Sequence, residues 1–168
     1  MVLISLTLYY TRMEKYNTLK NKKDYEDFIL KIPIEIKNIS ELVGKSELDF
    51  NEEEIREISE NFIGFKKDGL FDNKLKRMLM VYVGELFKNH FGGEWDFTGL
   101  KSDSWAINEP VITKYKNEGI RMSPSEWIWG LFEKNDRNHF NNNIRHIIES
   151  EKKREELFAK IFPKRKKK

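Results

Sequence analysis

The stretch VYVGELFKNHFGGEW, residues 81–95, decides how this chain is read. Together with the residues before it, Leu75, Leu79, Tyr82, Val83 and Leu86 recur at intervals of three and four. That spacing gathers side chains on one face of a helix. Met78, Met80 and Phe87 extend the apolar surface beyond one stripe, as in a central helix touched on several sides. Asp72 is placed to cap its start. Gly92-Gly93 supplies the positive φ that stops a helix and turns the chain. Trp95 and Phe97 then alternate, the period of a strand. The spacing therefore predicts a helix to about His90, a sharp corner, and a strand folding back onto the helix. Gly84, inside the helix, implies a close backbone approach there. Glu85 beside it is read as a structural carboxylate, or else as a contact for a partner.

Working toward the N-terminus, DFNEEEIREISENFIGF (residues 49–65) is the clearest helix. Asn51 can cap it, with Glu54 three residues on in a capping-box arrangement. Ile55, Ile58 and Phe62 share one face, and the three acids of the first turn suit the helix dipole. Earlier, a helix begins around Asp24. Pro33 falls inside FILKIPIEIKNISELVG, and an interior proline breaks a helix. A break is expected there, followed by a short helix to about Val43 that Gly44 ends. The first residues, MVLISLTLYYTRMEK, lack the charged start and cleavage site of a secretory signal and are too short to span a bilayer. They are expected to pack as a terminal segment, with Leu6, Leu8 and Tyr10 alternating as in a short strand.

Toward the C-terminus, WAINEPVITKYK (residues 105–116) carries a further strand, with Pro110 at an edge or bulge, joined to the first through the turn GLKSDS. Ser123 can cap the next helix, with Pro124 in its tolerated first position. A long helix is expected from about Asn142, marked by Ile144, Ile147, Ile148, Leu157, Phe158 and Ile161. The predicted fold is α+β and mostly helical: helices around a small antiparallel sheet at about residues 94–122, then a long C-terminal helix. Residues 1–163 form one domain, and 164–168 a disordered basic tail.

Charge supports this division. The formal net charge is +3, from 31 basic and 28 acidic residues. Removing KRKKK (164–168) leaves 26 basic against 28 acidic, or −2, so the body carries no basic excess of the kind a nucleic-acid-binding fold shows. The chain has no cysteine, hence no disulfide, thiolate ligand or thiol nucleophile. Its three histidines are His90, His139 and His146. The last two are seven residues apart, but a turn is expected between them. There is no HExxH, GxSxG, GxxxxGK[ST] or GxGxxG sequence. Glu94, Asp96 and Glu109 form carboxylate pairs of a kind that arise by chance among so many acids. No catalytic residue, metal ligand or cofactor site is assigned, and the chain is read as a non-enzyme.

VYVGELF, FGGEW, INEPVI and SPSEWI together resemble a pattern in small, mostly uncharacterised bacterial proteins. In these an aliphatic helix ending in Gly-Glu leads to Gly-Gly-x-Trp, a hairpin and a Pro-started helix. The resemblance covers about residues 72–132 and implies structural roles for Gly84, Glu85, Gly92, Gly93, Trp95, Pro110 and Pro124. Proteins of this look are suggested to be immunity or accessory proteins of bacterial toxin systems. The resemblance thus implies an immunity protein that binds and neutralises a cognate toxin, and cytoplasmic location is the default expected of a start without a targeting signal. Trp105, Trp127 and Trp129, with Glu85, are the candidate partner contacts, because tryptophan is favoured at binding hot spots. Trp127 and Trp129 lie two apart on one helix, so both cannot face the same core. The alternative is a nucleic-acid- or ribosome-associated protein using the basic tail, with weak, salt-sensitive contact to phosphates. No membrane role is expected.

Overall fold

The computed structural model describes residues 16, 19–98, 108–115 and 121–161. In chain order these form α1 (Lys22–Leu42), α2 (Glu52–Lys67), α3 (Asn73–Phe91), β1 (Glu94–Thr98), β2 (Glu109–Thr113), α4 (Pro124–Lys134) and α5 (His139–Ile161). The architecture is α+β and mostly helical, as the sequence predicts, with a long C-terminal helix. The N-terminal strand expected at Leu6–Tyr10, the turn at 99–104, Trp105 and the tail at 164–168 lie outside the described residues.

α3 is the centre. Every residue from Met78 to Gly84 is buried, as are Leu86, Phe87 and Phe91. It packs against α1, α4 and β2, while α5 packs on α2 and α4. One apolar cluster runs through all of these elements, from Phe28 of α1 to Phe140 and Ile144 of α5. The wide apolar surface of α3 is thus explained by neighbours on several sides.

The helix starts follow their capping residues. Asn21, Asn51, Asp72 and Ser123 each accept a bond from the backbone N–H three residues on, satisfying a donor the helix itself leaves open. The Glu54 carboxylate departs from a simple capping box. It reaches past Asn51 to accept from the N–H groups of Asp49 and Phe50, at 2.9 and 3.0 Å. Lys45 completes its shell at 2.9 Å.

The break expected at Pro33 does not occur. α1 runs unbroken from Lys22 to Leu42 with Pro33 inside it. Pro33 lies on the exposed face, where a carbonyl left unbonded by the helix can be hydrated. On the opposite face Phe28 and Ile39 are buried on either side of the proline. Burying two such side chains contributes about 1.5–3 kcal/mol each, enough to offset a proline cost of about 3 kcal/mol. Tertiary burial decides the outcome.

After α3, Gly92 and Gly93 have φ of 75° and 104° and form the corner. β1 and β2 pair antiparallel, with Trp95 opposite Ile112 and Phe97 opposite Pro110. An isolated bridge between Ile112 and Met122 returns the chain to the sheet just before α4. Pro110 stands on an outer strand of a two-stranded ladder, where its missing N–H is tolerated.

Candidate functional site

The buried carboxylates each have partners within the fold. Glu35 accepts from Arg77 Nε at 2.6 Å and from the Asn38 amide at 3.3 Å. Glu54 is held as described above, and Glu109 accepts from the Ser123 hydroxyl at 3.0 Å. Glu85, half-buried on α3, accepts from Trp95 Nε1 at 2.6 Å and from Lys88 Nζ at 2.8 Å. Glu85 thus buckles helix to strand. The Tyr82 hydroxyl is buried with no hydrogen-bond partner among the described residues. Burial, then the nearby Glu54 carboxylate, raises its pKa well above the usual phenol value. It stays protonated. Among the described residues no cluster of three or more His, Asp or Glu side chains is placed to hold a metal ion.

The tryptophans divide as their spacing requires. Trp127 is only 8% exposed and belongs to the core. It sits edge-on to Phe87 and stacked on Phe140, with centroids 5.8 and 6.2 Å apart. It is thus an anchor for α4, and the expectation that it meets a partner is corrected by its burial. Trp129 lies half-buried on the same helix and borders a hollow of about 310 Å³ between α4 and α5. Trp105 is outside the described residues.

Two histidines meet at that hollow, which the sequence reading missed. α5 begins at His139, not near Asn142, so His139 and His146 stand on one helix and both line the hollow. Asparagine side chains compete with helical backbone bonds. Here they are committed elsewhere. The Asn141 amide donates to the Glu52 carbonyl at 2.9 Å, and Asn138 accepts from Arg56 Nε at 3.1 Å. Arg145 pairs with Glu52, and Arg137 with Glu60. These bonds dock the start of α5 on α2 and pull the helix boundary forward. Asp136 begins the turn, accepting from Asn138 N at 2.9 Å.

His139 is buried, 5% exposed, over Gly130 of α4. A Cβ on Gly130 would lie 2.3 Å from His139 Nε2, so only glycine admits the ring. Burial, helped by nearby Lys134, pushes the imidazole pKa down to about 4, with Asp136 and a bond to the Trp127 backbone acting the other way. The ring is neutral at pH 7. Nε2 of the neutral ring accepts from the Asn143 amide at 3.2 Å. The contact with the Trp127 backbone joins α5 to α4, while the Asn143 bond lies within α5. The sequence signal for this seat is a glycine inside the apolar helix EWIWGLF, the same kind of signal that Gly84 gives in α3.

Comparison of the chain with family models, with curated protein sequences and with solved structures finds no match. The floor of the hollow is rigid, being Trp127, Gly130 and His139. Its wall is the Trp129 indole with Ile147, and its rim is polar. This arrangement presents an indole and a shallow cleft on a scaffold that ring packing has fixed on both sides.

Proposed function

We propose that this chain is a non-catalytic protein-binding domain, a cytoplasmic immunity protein that neutralises a cognate bacterial toxin through the α4–α5 face. The observation that supports it is the division of labour within Trp127-Ile128-Trp129. Trp127 and Ile128 are buried and fix α4, while Trp129 is held half-exposed at the edge of an open hollow. A tryptophan held on a rigid frame contributes contact area at little ordering cost, the property of binding hot spots. The engagement of Glu35, Glu54, Glu85 and His139 inside the fold accords with a role other than acid–base chemistry. The toxin as partner comes from the sequence resemblance.

The test is co-expression with the toxic product of a neighbouring gene. Cells should survive with the parent chain and lose protection with Trp129→Ala or Lys134→Glu, provided both variants remain folded. Survival that tolerates both variants but fails when residues 164–168 are deleted would overturn this reading in favour of the basic tail.

A further inference from the structure

The chemistry of the α4–α5 hollow narrows what can enter it. This inference rests on the partner-binding reading above. Trp129 and Ile147 give it an apolar wall, and its volume of about 310 Å³ is at the small end for ligand sites. That is room for one large side chain, not for a nucleotide-sized cofactor. The polar groups around it are unequal in kind. Lys134 and His146 line the hollow, and among the described residues neither makes a hydrogen bond or ion pair. Asn143 gives one amide N–H to His139 and keeps the second. Among the described residues Glu126 is the one carboxylate in the lining. Arg137, just before α5, and Arg145 on it are already matched, to Glu60 and Glu52 of α2. Among the described lining residues donors therefore exceed acceptors, next to an indole face.

From this imbalance we infer that the hollow receives an aromatic side chain of the protein partner with a carboxylate beside it. The ring lies against Trp129 and Ile147, and the carboxylate faces Lys134, His146 and the remaining Asn143 N–H. The ring supplies most of the affinity, because aromatic contact and burial are not screened by solvent. Lys134 is exposed, so its pairing with the carboxylate adds selectivity of a few-fold and little more. The charge match also speeds encounter with an acidic partner face.

The full chain, isotope-labelled, would be titrated by two-dimensional NMR with N-acetyl-L-tryptophan and, separately, with its neutral amide, N-acetyl-L-tryptophanamide. Both are expected to shift the amide signals of α4 and the first half of α5, with a dissociation constant on the order of 1 mM for so small a probe. The acid should bind roughly two- to five-fold more tightly than the amide. That preference should vanish in Lys134→Gln, a surface change that leaves the core intact. Trp129→Ala should weaken both probes. Equal binding of acid and amide, signals that move elsewhere, or no movement at about ten times the expected constant would overturn the inference. Cell protection without probe binding removes this assignment and leaves the immunity reading standing. Probe binding without protection does the reverse.

Discussion

The six-membered ring of Trp95 fills the space a side chain at Gly84 would need. A Cβ there would lie 2.0 Å from Trp95 Cη2 and 2.1 Å from Cζ2. The same indole donates Nε1–H to Glu85 at 2.6 Å and meets Phe28 of α1 edge-on at 5.2 Å. Consecutive residues of α3 thus hold one ring from below and at its edge. This explains why Gly-Glu stands inside an apolar helix and Trp follows the Gly-Gly corner. The close approach is made by a side chain, where backbone had been expected.

Gly84→Ala is accordingly expected to destabilise the fold by about 1–3 kcal/mol, the usual cost of overpacking a core. Gly64 provides the control. It also lies within a helix, but a Cβ there meets nothing within 4 Å. Gly64→Ala should be neutral or stabilising, by up to about 1 kcal/mol from reduced freedom of the unfolded chain. Urea denaturation of the two variants side by side checks both. Equal midpoints would rule out the ring seat.

The Gly92-Gly93 corner gives a second pair of expectations. Gly92 has φ 75° and ψ −161°, a region open almost only to glycine. Gly93 combines φ 104° with a crowded site, where a Cβ would lie 2.7 Å from the Thr113 carbonyl. Gly93→Val should therefore cost more than Gly92→Val, and each more than about 1 kcal/mol. Thermal melts that match the parent for both would contradict the corner geometry.

These glycines show which parts of the molecule are legible in its sequence. Caps at Asn51, Asp72 and Ser123, the apolar breadth of α3 and the Gly-Gly corner are local or periodic signals, and each appears in the fold. The continuity of α1 through Pro33 and the early start of α5 are not local. They depend on burial of Phe28 and Ile39 and on bonds from Asn138 and Asn141 to α2, between residues far apart in the chain. For the same reason the His139–Gly130 seat was missed. Trp129 was visible as a candidate because two tryptophans at a spacing of two cannot share a helix face. The rest of its hollow comes from α5 and had no local signature.

Pro33 offers a test in the stabilising direction. It is exposed and interrupts an otherwise continuous helix. Pro33→Ala restores the N–H that can bond the Ile29 carbonyl, and it removes the ring clash. A gain of about 1–3 kcal/mol is expected, measured as a raised urea midpoint with unchanged slope. A loss of stability would mean that α1 needs the proline, contrary to the packing argument.

The His139 seat predicts acid sensitivity with a definite sign. The imidazole pKa falls from an ordinary 6.5 in the unfolded chain to about 4 in the fold, chiefly through burial. Between those values the unfolded state binds more protons than the native one, so stability rises with pH there. The contribution is complete above pH 6.5 and is lost as pH falls through the window to about 4. The loss from this one group is on the order of 2–3 kcal/mol. Protonation would put a charge between α4 and α5, near Lys134, and turn Nε2 into a donor facing the Asn143 amide. Asp136 offsets part of that repulsion. The measurement is unfolding free energy from pH 7.5 to 4 for the parent and for His139→Gln, whose amide does not titrate. The variant is expected to be less stable at pH 7.5, having lost the fitted ring, but to show a flatter profile below pH 6.5. An NMR titration of the parent should find the His139 ring still neutral at pH 5.5. A ring that protonates near 6.5, with parallel profiles for the two proteins, would mean that His139 is solvated and that Gly130 does not seat it.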